Sequence, residues 1–250
     1  MTVQPPAEAP VLDTRDVAAA LRGGVRDLDH ALEFVRSFAA TWSGHSLCPS
    51  DLIDHQLDDE ERQFGYPLPL ALREGYRLLA GRPELTGHQD PLVPVAGLGE
   101  IDGYLVFRRE NQDAAFWGIP FDRLDEDDPP VAVRSPQDGW LPFLPRMSQA
   151  WVELLLGETL FACGIEPERA DSCELPAELA PVLGQRYTRV DLPDLPHWVG
   201  PQDSPIRWYA APGRLLRLDG TEPLGWLHAR GLTRADLAAV RADFPCQWVN

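Results

Sequence analysis

The spacing of the apolar residues changes near Pro91, and this change constrains the fold more than any other feature of the chain. Before Pro91 the apolar residues recur at helical spacing, and after it they fall in short runs separated by turn residues. Helices are predicted over about residues 14–21, 28–42, 50–64 and 69–79, followed by strands over 92–95, 104–108, 114–119 and 131–133 and a helix over 148–161. This order predicts an α+β domain with helices packed on one face of an antiparallel sheet.

Several residues predict where these helices begin and end. Asp27 or Asp29 can cap the second helix, Ser50 the third and Ser148 the last. Gly65 is placed to end the third helix with a positive φ. Pro69 can start the next helix, because a missing N–H costs nothing in a first turn.

The last third of the chain has a different pattern. Residues 164–205 hold many prolines and predict an irregular stretch, whereas 207–210 and 215–218 flank Pro212-Gly213 as a predicted hairpin. A strand over 226–229 and a helix capped by Thr233 complete it. We therefore expect a tail and short helix in residues 1–26, the main domain in 27–163 and a smaller α+β appendage in 164–250.

The charge of the chain is strongly negative. Its 22 basic residues are all Arg, Asp and Glu number 39, and the formal net charge is −17. The acidic excess is concentrated in residues 1–130, which hold 24 acids and 11 Arg. Such a surface repels nucleic acids and anionic membranes and favours a basic protein as the partner.

Two short runs contain the densest negative charge. We expect them to face a partner, with a merely solvated surface as the alternative. They comprise Asp58, Asp59, Glu60 and Glu61 in the third helix, and Asp122, Asp125, Glu126 and Asp127 after the hairpin.

Cofactor and metal sites are not indicated. The four cysteines are scattered without a CxxC pair, so we expect reduced thiols and neither a disulfide framework nor a zinc site. His45, Cys48 and His55 lack the second close pair that a metal cluster needs. The chain carries no apolar run of membrane-spanning length and its start lacks the features of a signal peptide, which predicts a cytoplasmic protein.

Motifs of the common enzyme classes are also missing. Gly97, Gly99 and Gly103 do not have the spacing of a dinucleotide-binding loop, and the sequence contains no GxSxG elbow. The acidic run 122–128 lacks the glycine and the final Glu of a calcium loop. The sequence therefore predicts no catalytic residues and a non-enzymatic protein.

An ordered series of short motifs carries a family resemblance. These are Phe64-Gly65-Tyr66-Pro67-Leu68-Pro69, Gly103-Tyr104-Leu105-Val106-Phe107, Phe116-Trp117-Gly118-Ile119 and Asp128-Pro129-Pro130-Val131. In this order they resemble the SUKH superfamily, in particular its branch similar to the Knr-type cell-wall assembly regulator. The resemblance covers about residues 45–162, and departs from the family where Ala80-Gly81-Arg82-Pro83 replaces a frequent Asn-Gly.

This resemblance implies an α+β fold and a role in protein binding. Many bacterial members resemble immunity proteins that neutralise a co-encoded toxin, often a nuclease, and others resemble intracellular scaffolds that bind host proteins. It implies structural roles for Gly65, Leu68, Pro69, Phe107, Trp117, Gly118, Asp128, Pro129, Pro130 and Val131. An acidic immunity protein could mimic the phosphate charge that a nuclease binds.

Overall fold

The computed structural model describes residues 12–162, 166–198, 205–220 and 225–250. The expectations for the tail before residue 12, for Cys163 and for parts of 164–205 lie outside these residues. The fold is α+β, as predicted, and contains two antiparallel sheets.

Five helices precede the first sheet. They are α1 (Val17–Ala20), α2 (Leu28–Phe38), α3 (Asp51–Phe64), α4 (Leu70–Leu79) and α5 (Pro83–Thr86). The Asp27 side chain accepts a hydrogen bond from the backbone N–H of His30, and Ser50 accepts one from Ile53, so both predicted caps are confirmed. Gly65 ends α3 with a φ of 79°.

The second helix ends earlier than its apolar spacing predicts. After Phe38 the chain continues as a π-helical turn, Ala39–Ser43, which shifts the register of the side chains. Trp42 remains buried, and its indole Nε1 donates to the carbonyl of Thr14 at 2.8 Å. The turn thereby fastens the segment around Thr14 to the end of α2.

The first sheet is a simple meander of five antiparallel strands in chain order. The strands are β1 (Gly99–Ile101), β2 (Tyr104–Arg109), β3 (Phe116–Pro120), β4 (Val131–Ser135) and β5 (Gly139–Leu144). Phe107 and Trp117 are buried, as predicted. The predicted strand over 92–95 is wrong: Leu92 forms a single bridge to Arg108, and Pro91 and Pro94 have no N–H for a ladder.

A bulge in β2 determines what this sheet presents to the core. The register between β2 and β3 shifts between Val106 and Arg108, so two consecutive side chains reach the same helix. The Phe107 ring packs against Trp151, and Arg108 hydrogen-bonds Glu153. A regular strand would point one of these two residues to the opposite face.

The helix that follows, α6 (Met147–Phe161), lies at the centre of the molecule. Every residue from Met147 to Leu160 is buried, because the helix contacts α2, α4 and β5 from the first part of the chain and the strand Gly225–Gly231 of the second sheet. The predicted extent is confirmed to within one residue. The predicted cap is wrong: Ser148 lies inside the helix, and the side chain of Asp128 caps it.

The second sheet contains the strands β6 (Ala170–Leu175), β7 (Thr188–Arg189), β8 (Arg207–Ala211), β9 (Arg214–Asp219) and β10 (Gly225–Gly231). Their order in the sheet is β6-β10-β9-β8-β7, and all neighbours are antiparallel. The helices of this part are α7 (Ala180–Arg186) and α8 (Arg234–Asp243). The hairpin at Pro212-Gly213 is confirmed, and so is the Thr233 cap, which forms a capping box with Asp236.

The prediction of an irregular stretch over 164–205 is wrong in part, because β6, α7 and β7 lie within these residues. The prolines that suggested it stand where regular structure tolerates them. Pro176 follows the end of β6, and Pro181 lies in the first turn of α7.

The two faces of the second sheet belong to different cores. Trp208, Ala210 and Leu215 pack into the same apolar cluster as the helices of the first part. Residues of the opposite face, such as Leu216 and Leu227, pack with α8 in a smaller cluster. The two parts of the chain therefore share one core across α6.

The cysteines require a correction. Cys173 and Cys246, separated by 73 residues, form a disulfide, whereas reduced thiols were predicted. The pair could not be recognised from spacing, because it depends on residues 246–250 returning alongside β6. Cys48 is free and exposed, and among the described residues no cluster of His, Cys, Asp and Glu could hold a metal.

Candidate partner-binding surface

An aromatic cluster connects the two acidic runs. Phe64 at the end of α3 stacks on Tyr66 with 5.5 Å between ring centroids, and Tyr66 meets Phe121 edge-on at 5.1 Å. Gly65 turns the chain so that Tyr66 follows α3 directly. The three half-buried rings therefore link the end of α3, the helix that carries residues 58–61, to Phe121, which directly precedes residues 122–127.

A hollow of about 280 Å³ opens beside this cluster. Its walls are Tyr66, Pro67, Phe121, Asp122, Leu124 and Asp125. Burial raises the pKa of the Tyr66 hydroxyl, and the neighbouring charge of Glu100 raises it further. The hollow therefore combines an apolar floor with a negatively charged rim.

Half of the predicted carboxylates are held by arginines of the same molecule. Asp58 and Glu61 both pair with Arg73 of α4, at 2.7 and 3.0 Å. Asp59 pairs with Arg62, and Glu126 pairs with Arg123. The Arg73 contacts, which also include Asp54, join α3 to α4.

The other half carry no such partner. Within the described part of the chain, the side chains of Glu60, Asp122, Asp125 and Asp127 form neither an ion pair nor a hydrogen bond. Asp122, Asp125 and Asp127 are exposed. We refer to residues 122–127 as the acidic loop.

Backbone contacts hold the acidic loop in place. The carbonyl of Asp127 accepts a hydrogen bond from the N–H of Ala71 at 2.8 Å, and Phe121 donates to the carbonyl of Gly103 at 3.0 Å. A short 3-10 turn, Phe121–Arg123, begins the loop. The backbone of the loop is therefore held in place before any partner arrives, which lowers the entropic cost of binding.

A second hollow lies on the outer face of the first sheet, beside the two prolines that flank the loop. It measures about 380 Å³ and is lined mainly by proline, aromatic and aliphatic residues. Tyr104 and Trp140 stack with ring centroids 4.0 Å apart. Gly118 lies beneath them, and a Cβ there would be 3.0 Å from both residues. Pro120 and Pro130, which flank the acidic loop in sequence, belong to its wall.

Asp128 has a structural role. Its carboxylate accepts hydrogen bonds from the backbone N–H and the hydroxyl of Ser148, at 2.7 and 2.6 Å. The negative charge also lies at the positive end of the α6 dipole. The Asp128-Pro129-Pro130-Val131 motif thus fastens β4 to the start of α6.

We expect Asp128→Ala to lower the free energy of unfolding by about 1–2 kcal/mol, the usual effect of losing a helix cap. Asp128→Asn should lose less, because its amide oxygen can still accept one of the two bonds. Urea denaturation followed by circular dichroism measures both. An unchanged midpoint for Asp128→Ala would show that the cap does not stabilise α6.

A buried ionic network lies at the junction of the two parts and was not predicted. The Arg108 guanidinium donates to Glu153 at 2.6 Å and to Asp90 at 3.0 Å, and lies 4.4 Å from the centroid of Trp117. Glu158 accepts from three consecutive backbone N–H groups, those of residues 88–90. Burial raises the pKa of Asp90 to about 6, although the charge of Arg108 opposes this shift.

One trio in this region has the composition of a catalytic triad. The hydroxyl of Ser172 lies 2.8 Å from Nδ1 of His228, and Nε2 of His228 lies 3.6 Å from Asp219. Asp219 is already bound by both Nε and Nη2 of Arg217, at 2.6 and 2.7 Å. None of the three lines any of the five cavities described on the molecule. Its contacts are those of a structural cluster between strands β6, β9 and β10.

Comparisons of the chain with family models, curated proteins and solved structures gave no match. None of the described helices has both the length and the apolar character needed to cross a bilayer.

Proposed function

We propose that this chain binds a basic protein through the acidic loop and the two hollows beside it. The observation that carries the proposal is the placement of unpaired carboxylates around half-buried aromatic side chains. Protein interfaces commonly place an apolar anchor in a hollow and surround it with polar groups. A basic partner could insert an apolar side chain beside Tyr66 while its arginines or lysines meet Asp122 and Asp125.

The most concrete form of this proposal is immunity to a co-encoded toxin. The resemblance to the SUKH superfamily supports it, and so does the net charge of −17, which suits the basic active site of a nuclease. We further propose that the protein is non-enzymatic, requires no cofactor, binds neither nucleic acid nor membrane and acts in the cytoplasm. The alternative is an intracellular scaffold that binds host proteins.

The first experiment identifies the partner. The tagged protein is recovered from its native cell, and the proteins that accompany it are identified by mass spectrometry. A co-purified toxin that is inhibited in a stoichiometric complex supports immunity, whereas a stable complex with housekeeping proteins supports the scaffold.

The second experiment tests the surface. We expect the triple change Asp122→Asn, Asp125→Asn and Asp127→Asn to slow association with that partner by about tenfold or more at low salt and to flatten its salt dependence. Stability should change by less than about 0.5 kcal/mol per site, because exposed charges contribute little to folding. Surface plasmon resonance at two salt concentrations measures the rates.

A matched control variant removes the same number of negative charges from a different part of the surface. Asp138, Glu174 and Glu178 are exposed and lie outside the acidic loop. Their replacement by Asn and Gln should leave the association rate within about twofold of the parent, since distant charges are screened beyond roughly 8–10 Å. Equal slowing by both triple variants would mean that net charge, and not this surface, determines association.

A further inference from the structure

The hollow on the outer face of the first sheet is built around two small residues. Gly118 of β3 and Ala132 of β4 lie opposite each other in the sheet. Tyr104 of β2 and Trp140 of β5 stand on the strands to either side, and their rings stack across the gap with centroids 4.0 Å apart and planes 15° apart. A Cβ at Gly118 would be 3.0 Å from each of them, so the small floor positions this pair of rings.

Prolines form most of the rest of this wall. Pro120, Pro130, Pro142 and Pro145 line the hollow together with the two rings and a few aliphatic residues, and no charged side chain is among the described residues of its wall. Tyr104 and Trp140 are half-buried, whereas Pro142 and Pro145 are exposed. The hollow is therefore an open apolar surface of flat aromatic and proline rings.

The edge beside the hollow disfavours an added β-strand. β5 is the last strand of its sheet, Pro142 lies within it and Pro145 follows directly after it. Neither residue has an N–H to donate to a neighbouring strand, and proline is a common way of blocking an edge. An extended ligand at this place therefore has to bind by side-chain contact with the rings.

A polyproline II helix suits such a wall. It has three residues per turn and no internal hydrogen bonds, and its backbone stays solvated, so the wall need not supply polar groups for it. Its proline rings pack flat on aromatic side chains. Because the helix is already formed before binding, little entropy is lost, and aromatic-lined grooves recognise proline-rich segments for this reason.

The acidic loop adds negative charge at one side of the hollow. Pro120 and Pro130 bound the segment that contains the loop, and Asp122 follows Pro120 by two residues, which limits their Cα atoms to a separation of about 7 Å. Asp122 and Asp125 are exposed and unpaired within the described part of the chain, whereas Arg123 is paired with Glu126. A ligand in the hollow can therefore place a cation against free carboxylates.

The two arginines beside the hollow are occupied by groups of the same chain. Arg134, which lies opposite Trp140 in the sheet, pairs with Asp102 at 3.2 Å. Arg146, which follows Pro145, donates to the carbonyls of residues 25 and 26 and lies 4.0 Å from Asp128. The net charge near the hollow therefore remains negative and favours a basic ligand.

We propose that this hollow binds a proline-rich segment of the partner protein in the polyproline II conformation, with a basic residue beside the prolines that meets the acidic loop. The inference rests on the proposed function of the acidic loop and adds the chemistry of the partner segment. The stacked rings of Tyr104 and Trp140 contact the prolines, and Asp122 and Asp125 contact the cation.

The test is isothermal titration calorimetry of the full chain with a synthetic peptide of six prolines that carries two arginines at each end. The control peptide has alanines in place of the prolines and the same arginines. We expect one proline peptide to bind per chain and the alanine peptide to bind at least about tenfold more weakly. Equal affinities would show that charge alone attracts the peptide, and this result, like a failure of the proline peptide to bind, overturns the proposal.

Variants locate the site on the molecule. Trp140→Ala should weaken binding of the proline peptide by about tenfold or more, as expected for a tryptophan at the centre of an interface. Trp226→Ala is the matched control, because Trp226 lies on the second sheet and is 46% exposed, and it should bind as the parent does. If Trp140→Ala does not fold, Tyr104→Ala takes its place. Parent-like affinity in the folded variant would refute the assignment.

The same variants separate this inference from the proposed function. Failure of the proline peptide to bind, while neutralising the acidic loop still slows association of the partner, overturns the inference alone. Peptide binding that depends on Trp140, with a partner whose association ignores the loop, supports the ligand class of the hollow and contradicts the proposed role of the loop.

Discussion

Arg108→Met should lower the free energy of unfolding by about 3–5 kcal/mol, the loss expected when one member of a buried ion pair is removed. Arg108 is 2% exposed and provides the positive charge nearest to the buried carboxylates of Asp90 and Glu153. Methionine can fill much of the volume of the aliphatic stem. The loss of stability therefore measures the cost of leaving Asp90 and Glu153 without their nearest counter-charge.

The pH dependence separates this electrostatic cause from a packing defect. Burial already raises the pKa of Asp90 to about 6, and removal of Arg108 raises the pKa further. The folded variant then binds more protons than the unfolded chain, so its stability falls as the pH rises. We expect the deficit relative to the parent to be smaller at about pH 5 than at about pH 7.5.

Arg109→Met is the matched control, because the neighbouring Arg109 side chain is 54% exposed and pairs with Asp113 at the surface. Its effect should stay within about 0.5 kcal/mol. Guanidinium denaturation at both pH values measures all three proteins. A pH-independent deficit for Arg108→Met would assign the loss to packing and contradict the electrostatic account.

Gly75→Ala should destabilise the protein by about 2–3 kcal/mol, at the upper end of ordinary overpacking. A Cβ at this position would lie 1.9 to 2.4 Å from three atoms of the Trp151 indole. The indole cannot easily move, because its Nε1 donates to the carbonyl of Ala71 at 2.7 Å and its ring meets Tyr76 edge-on. The close approach of α4 to α6 thus depends on a missing side chain.

Two further variants test this explanation. Gly184→Ala, in α7, meets no atom within 4 Å and should stabilise the protein by up to about 1 kcal/mol, since Ala favours a helix over Gly. In a Trp151→Leu background the penalty of Gly75→Ala should shrink, which a double-mutant cycle of thermal unfolding measures. If the losses of stability from Gly75→Ala and Trp151→Leu were additive, the Cβ at position 75 would not clash with the Trp151 indole.

The parts of the fold that depend on neighbouring residues were predictable from the sequence. The caps at Asp27, Ser50 and Thr233 are local, and the large apolar area of Trp117 favours its burial wherever the chain passes. The bulge that turns both Phe107 and Arg108 inward was not predictable, because strand alternation allows only one of them to face the core. β6 and α7 were not predicted because their segments are rich in proline, and composition does not reveal where in an element a proline stands.

For the candidate surface, too, only the features that depend on neighbouring residues were predictable. The exposure of Asp122, Asp125 and Asp127 follows from a dense acidic run beside turn residues. The ion pair between Asp58 and Arg73 does not follow from the local sequence, because Arg73 lies 15 residues away on another helix.

The residues after α8 determine how the second sheet behaves toward other molecules. β6 is an edge strand, and an uncovered edge offers its unpaired N–H and C=O groups as a template for strands of other chains. Here Val249 donates its N–H to the carbonyl of Ser172, Trp248 bridges to Cys173, and the disulfide fixes this arrangement. Removal of residues 246–250 would therefore leave part of the β6 edge without a partner, and such an edge is one to which strands of other chains can add.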